Sequence, residues 1–224
     1  MPSFFSVPAR RTNLTAPPKF STDQEAFWAG QFGNDYIGRN ASQQLLASNL
    51  NFFAQALRRA GRINSCIEFG ANIGMNLRAL KLLQPEMAQY GIEINSTAAE
   101  QLAGFLGKDR VHCGSIFDFP VTEKSELAFI KGVLIHINPD KLPLTYQKIH
   151  AASSRYVLVC EYYNPSPTAI PYRGHNDRLF KRDFAGEMLD MFPDLALIDY
   201  GFGYRRDPAY PQDDITWFLM EKKA

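Results

Sequence analysis

The chain has 224 residues, 46% of them hydrophobic and 21% charged, enough apolar material for one large domain and too much for a fibrous or wholly disordered chain. Lysine and arginine total 24 against 23 acids, a net charge of +1, so no global field draws the protein onto nucleic acid or anionic lipid. No apolar window nears the ~20 residues of a membrane-spanning helix, and the widely spaced Cys66, Cys113 and Cys160 read as buried thiols of a soluble protein in a reducing, cytoplasmic compartment.

Residues 1–20 hold four prolines, three basic residues and no acid; they predict a flexible tail ahead of a single domain spanning 21–224. Order is expected from Thr22, where Thr22-Asp23-Gln24-Glu25 has the form of a capping box before Phe27, Trp28 and Phe32. Gly33 to Asn40 reads as a polar connection with two glycines. A second helix follows over 41–59, with Leu45, Leu46, Leu50, Phe53 and Leu57 at helical spacing, so that 21–60 forms a helical cover.

An alternation then begins. Strands are predicted over 65–69, 89–94, 110–113, 126–133 and 155–161, with helices over 75–83, from Thr97 (a second capping box, Thr97 to Glu100) to about 106, and from Asn138-Pro139 to about 153. Strands separated by helices mean βαβ units and a parallel sheet covered on both faces. After a helix near 182–191, two strands over 195–204 and 215–221 follow with no helix between them, which predicts an antiparallel hairpin at one sheet edge. The expected fold is a Rossmann-like, doubly wound, seven-stranded, mostly parallel α/β sheet.

The turn Glu68-Phe69-Gly70-Ala71-Asn72-Ile73-Gly74 carries the most chemistry. Glycines between a strand and a helix expose backbone N–H groups and let a ligand approach where no Cβ intervenes; a tight turn without a ligand would use them too. A dinucleotide fingerprint would need glycines at 70, 72 and 75, and here Asn72 and Met75 break it. The pattern acid-x-Gly-x-x-x-Gly, with Asn72 in the middle, resembles motif I of the class I S-adenosylmethionine-dependent methyltransferases. Asparagine tolerates the left-handed backbone better than most residues.

That resemblance spans roughly residues 65–162. Twenty-five positions after Glu68 comes Glu93, which the resemblance makes the acceptor of both ribose hydroxyls, with Ile94 beside it. Gly114-Ser115-Ile116-Phe117-Asp118 matches the adenine cup, Ser115 at the ring edge and Ile116 on its face. Lys131-Gly132-Val133-Leu134-Ile135-His136-Ile137 matches the segment under the methionine part, with Lys131-Gly132 replacing a more usual acidic or small polar pair. Outside this core, Trp28 to Asn40, Glu161 to Pro165, Tyr172 to His175 and Phe180 to Phe184 look like the pseudaminic-acid-biosynthesis-associated methylases.

The resemblance implies the cofactor S-adenosyl-L-methionine, its product S-adenosyl-L-homocysteine, and an in-line methyl transfer to an O or N of a small polar acceptor, carboxylated or sugar-like. Arg39, after Tyr36, is expected to bind the cofactor carboxylate, and Trp28 to cover the adenosyl group. The stretch 164–179, with three prolines and Tyr172, Arg173, His175, Asp177 and Arg178, exceeds the ~12–15 residues of ordinary connections and is expected to be an acceptor-binding lid, joined by Tyr162 and Tyr163. His136 and His175 are candidate general bases, with Glu161 beside them; His112 and His150 show no partner. No residues have metal-ligand spacing, so no metal is expected. The competing readings are a nicotinamide-dependent oxidoreductase, a cofactor-binding module without activity, and a methyltransferase acting on RNA or protein.

Overall fold

A computed structural model describes residues 20–38 and 41–223. The predicted tail, Phe20 apart, and Arg39 lie outside these residues. Seven strands form one sheet in the order β3-β2-β1-β4-β5-β9-β8. They are β1 (Ser65–Phe69), β2 (Ala88–Glu93), β3 (Val111–Cys113), β4 (Ser125–Lys131), β5 (Ser153–Glu161), β8 (Leu195–Gly203) and β9 (Ile215–Lys222). The first five run parallel, and β9 inserts antiparallel between β5 and the edge strand β8. The expected hairpin is therefore present, with its second strand on the inside.

Alternating side chains split the core into two layers. Cys66, Leu127, Phe129, Tyr156 and Leu158 pack with α3 (Gln43–Ala56), α4 (Met75–Leu83) and α5 (Ser96–Leu106) on one face. Ile67, Ala128, Ile130, Val157 and Val159 pack with α6 (Leu142–Ala152) and α7 (Phe184–Met191) on the other. Burying both faces explains why β4 and β5 read as near-continuous apolar runs.

Three expectations change. Gly33 to Ile37 is not a loop; it belongs to a helix, α2 (Gln31–Ile37), which follows α1 (Asp23–Ala29) directly. A Cβ on Gly33 would lie 1.9 Å from the Trp28 carbonyl oxygen, so the glycine is there for close packing of the two short helices. Next, α5 is capped by Asn95, whose side chain accepts from the Ala98 N–H, and Thr97 sits inside the helix. Cys113 is exposed, because the short β3 lies at the sheet edge, while Cys66 and Cys160 are buried. The stretch 164–179, expected as a lid, is partly a ribbon: β6 (Thr168–Ala169) pairs antiparallel with β7 (Phe180–Lys181), and Tyr172 bridges His175 within it.

Candidate cofactor and acceptor cavity

The carboxyl ends of β1, β2 and β4 open into a cavity of about 320 Å³, the place where ligands of open α/β sheets bind. Its floor is the turn after β1. Gly70, Asn72 and Gly74 all take positive φ, at 77°, 48° and 82°, and a Cβ at Gly70 would sit 2.6 Å from Val133. The absence of a Cβ at Gly70 thus lets the turn pack directly on Val133, itself part of the cavity lining.

Glu93, at the end of β2, is 8% exposed and lines the cavity. Its two carboxylate oxygens accept N–H bonds from Asn72 and Asn95, each 2.7 Å. Burial raises its pKa, and those backbone bonds oppose the rise. Each oxygen keeps lone pairs for a further donor. Asn95 also donates to Asn34 Oδ1 at 2.9 Å, fastening the end of β2 to α2.

Glu68 does not line the cavity. It lies fully buried under the turn, holding Asn76 of α4 at 2.6 Å, and burial lifts its pKa to about 8. Gly74 likewise shapes the turn without lining it. Ile94, Ser115, Ile116, Lys131 and Gly132 all line the cavity. The Ser115 hydroxyl, expected at an adenine edge, instead donates to Glu25, whose other oxygen closes the capping box of α1. That carboxylate is a stronger acceptor than a ring nitrogen. Lys131, at the end of β4, packs 5.3 Å from the Phe52 ring centroid, and burial lowers its pKa against the attraction of Asp213, Glu68 and Glu161.

His136 lies in a 3-10 turn after β4, 9% exposed and on the cavity wall. Its Nδ1 sits 2.6 Å from the carbonyl oxygen of Arg178. A carbonyl only accepts, so Nδ1 carries the proton and Nε2 keeps its lone pair. Burial pushes its pKa down to about 4, so the ring is neutral at pH 7. Trp28 and Tyr172 flank it, with ring centroids 4.6 and 5.2 Å away. Tyr36 packs on Trp28 at 5.3 Å, and Tyr36, Tyr162 and Tyr172 join the lining.

Other expected residues fall outside the cavity lining. Glu161 is buried beneath it, accepting the Val133 and Leu134 N–H groups at 2.9 and 2.8 Å, with its pKa raised to about 7 by burial. It buttresses the chain after β4 and does not face the site. His175, Arg173 and Asp177 are exposed on the ribbon. Arg178 turns its guanidinium to Asp177, 2.6 Å away, and to the face of Phe27, and Tyr163 is 43% exposed beside Phe218. The turn of the ribbon aims these side chains outward, leaving Tyr172 inside. His150 does find a partner, Asp194 at 2.9 Å, far from the cavity. Among the described residues no group of three or more His, Cys, Asp and Glu could hold a metal, and no helix is long and apolar enough to cross a membrane.

Several lining residues were missed: Gln24 and Glu25 from α1, Asn49 from α3, and Gln212 and Asp213 from the β8–β9 connection. Glu25 had a sequence signal as the last residue of the capping box, the third of the helix. Gln212 and Asp213 had none, because only the folding of β9 beside β5 returns their loop to the cavity rim.

No protein-family model matches the chain, and no curated protein matches its sequence. Solved structures do match. The 1,6-didemethyltoxoflavin-N1-methyltransferase of Burkholderia thailandensis, crystallised with 1,6-didemethyltoxoflavin and S-adenosylhomocysteine, aligns with a TM-score of 0.68 at 17% identity over 94% of each chain. The magnesium protoporphyrin IX methyltransferase of Synechocystis PCC 6803, with bound S-adenosylhomocysteine, aligns at 0.64 and 10% identity over 89% of this chain and 98% of that one. The mitomycin 7-O-methyltransferase MmcR aligns at 0.64 and 14% identity over 90% of this chain, which spans only 61% of MmcR's length. At such identities the likeness establishes the architecture: the chain has the Rossmann-like fold of the class I S-adenosylmethionine-dependent methyltransferases.

Proposed function

We propose that the protein is an S-adenosylmethionine-dependent methyltransferase acting on an O or N of a small polar molecule. The observation that carries this reading is the Glu93 carboxylate, fixed by the Asn72 and Asn95 N–H groups at the edge of a cavity floored by the glycine turn. The cavity suits the cofactor on its own chemistry. Asn72 lines it, and its buried Oδ1 has no partner, so a polar ligand has a place there. Glu93 would hold the ribose, Ile94, Ser115 and Ile116 would border the adenine, and Lys131 with Gly132 would lie along the amino-acid end. When bound, the cofactor would supply an electrophilic methyl carbon on a sulfonium, whose leaving group is a neutral thioether.

The chain's own part is positioning, exclusion of water and proton acceptance. Trp28 rests its backbone oxygen over Asn95 and its ring on His136, closing the cavity over both ends. The ribbon from 164 to 179 acts as the lid, with Tyr172 as its inward residue, over a domain spanning 21–224. His136 Nε2 is the atom able to take a proton from the acceptor. The cavity's modest volume favours a small molecule over RNA or protein. The pseudaminic-acid resemblance rests on the sequence motifs around Trp28 and Tyr162, and a carboxylated acceptor would need a cation that Arg173 and Arg178 do not bring into the cavity.

Calorimetry with S-adenosylhomocysteine and with NADH tests the cofactor. Binding of the first alone is expected, and binding of NADH alone would replace the proposal with an oxidoreductase. Mass spectrometry after incubation with S-adenosylmethionine and candidate acceptors should show a gain of one methylene unit. Cofactor binding with no transfer to any acceptor would favour a binding module.

A further inference from the structure

The walls around His136 differ in character from the rest of the cavity. Trp28 and Tyr172 both lie against the imidazole, with ring centroids 4.6 and 5.2 Å away and each tilted 52° to it. Tyr36 meets Trp28 edge-on at 5.3 Å, and Phe32 backs Tyr172 at 6.3 Å. Ile135 and Leu179 complete the wall with apolar surface. Its polar atoms are the His136 Nε2 lone pair, the indole N–H of Trp28, buried with no partner, and the phenolic hydroxyls of Tyr36 and Tyr172.

The charged residues of the lid are engaged elsewhere. The Arg173 guanidinium lies over the outer faces of Phe32 and Tyr172, and Arg178 pairs with Asp177 and reaches Asp23 at 3.9 Å. Among the described residues, Lys131 is the cation that lines the cavity, and it belongs to the end of β4 assigned above to the cofactor. A carboxylate or a sugar brought against these walls would lose water without regaining charge-assisted hydrogen bonds. A flat ring would stack on two or three aromatic faces while presenting one polar edge to His136.

We propose, deepening the methyltransferase reading above and resting on it, that the acceptor is a planar aromatic or heteroaromatic molecule that lies against Trp28 and Tyr172 with its hydroxyl or ring N–H facing His136. The acceptor gives one proton to His136 Nε2 and gains one methyl group as the carbon–sulfur bond breaks. The sulfonium's positive charge ends on the imidazolium, so atoms and charge balance with no further reactant.

The test uses the full chain with 2-naphthol, indole and a hydroxyquinoline as aromatic probes, and glucuronic acid as the sugar-acid probe. Binding is followed by calorimetry and by tryptophan fluorescence, each with and without S-adenosylhomocysteine. At least one aromatic probe should bind and quench Trp28, and glucuronate should not. The fluorescence is interpretable because the chain has two tryptophans, of which Trp217 is buried in the core. Trp28→Ala should weaken the aromatic probe about tenfold, the size expected for losing a stacked ring with its burial. Trp28→Phe keeps a ring and should lose less. Tyr172→Ala, on the exposed ribbon, gives an independent variant should the helical cover fail to fold. Failure of every aromatic probe to bind, or binding that neither Trp28 nor Tyr172 substitution alters, overturns the proposal. Failure of S-adenosylhomocysteine to bind overturns the cofactor reading instead, and the aromatic measurements in its absence still decide the acceptor class.

Discussion

Glu93 and His136 show how a side chain's environment sets its chemistry. Glu93 is a buried acid whose pKa burial raises, while the Asn95 and Asn72 N–H groups on its two oxygens oppose the rise. Glu93→Ala should therefore weaken S-adenosylhomocysteine binding by about 1–3 kcal/mol, the usual worth of hydrogen bonds to a charged group, measured by calorimetry; unchanged affinity would retire its ribose role. His136, with a pKa lowered to about 4 by burial, stays unprotonated through the neutral range. Turnover should stay level on its acid side until pH approaches 4, and His136→Ala should slow turnover while leaving cofactor affinity near its original value. Full activity in that variant would mean the ring only packs against Trp28. That both residues line the cavity agrees with what the resemblance of their motifs implied. The inward or outward direction of the lid residues was not, because a ribbon turn between Tyr172 and His175 sends neighbouring side chains to opposite sides.

At the scale of elements, the strand-to-helix turn and the short cover helices do most of the positioning. Gly70→Ala would add a Cβ 2.6 Å from Val133 in a residue with φ of 77°, costing about 1–2 kcal/mol for the left-handed backbone alone. Denaturant unfolding should show that loss, and cofactor binding should fall with it. Glu25 joins α1 to the loop after β3, through the capping box on one oxygen and Ser115 on the other. Glu25→Ala should cost about 1–2 kcal/mol, as for a lost cap with an added buried hydrogen bond, and should weaken cofactor binding as the cover loosens. A variant as stable as the parent would argue that α1 is held by its aromatic residues alone.

For the whole molecule, stability should depend on pH in a way set by groups buried beneath the cavity. Burial raises Glu68 from its usual 4.5 to about 8 and Glu161 from 4.5 to about 7, both drawn back toward the charged form by Lys131. The folded chain then holds more protons than the unfolded one between pH 4.5 and those values, so stability falls as pH rises through that window. His136 acts oppositely. Lowered from 6.5 to about 4, it lets the unfolded chain hold the extra proton, and stability falls as pH drops from 6.5 toward 4. The two windows overlap between pH 4.5 and 6.5, where two carboxyl groups outweigh one imidazole, so stability should peak at the acid end of that range. Glu161→Gln keeps an acceptor for the Val133 and Leu134 N–H groups and removes the ionisation. It should gain on the order of 2 kcal/mol at pH 8 relative to the parent and flatten the alkaline limb, as followed by urea unfolding across pH; an unaltered slope would assign that limb to other groups.

The order of strands and helices, the terminal hairpin and the glycine turn were all determined locally. Apolar runs, caps and breakers act over a few residues, and β1 and α4 came out with their predicted limits for that reason. The cavity walls were decided by the tertiary structure. Glu25 meets Ser115 across 90 positions and Asn34 meets Asn95 across 61, and no periodicity carries such pairings. Whether Glu161 supports the site from below or faces it depended on the pleat of β5 against β4, and the backbone N–H groups freed after β4 drew its carboxylate underneath.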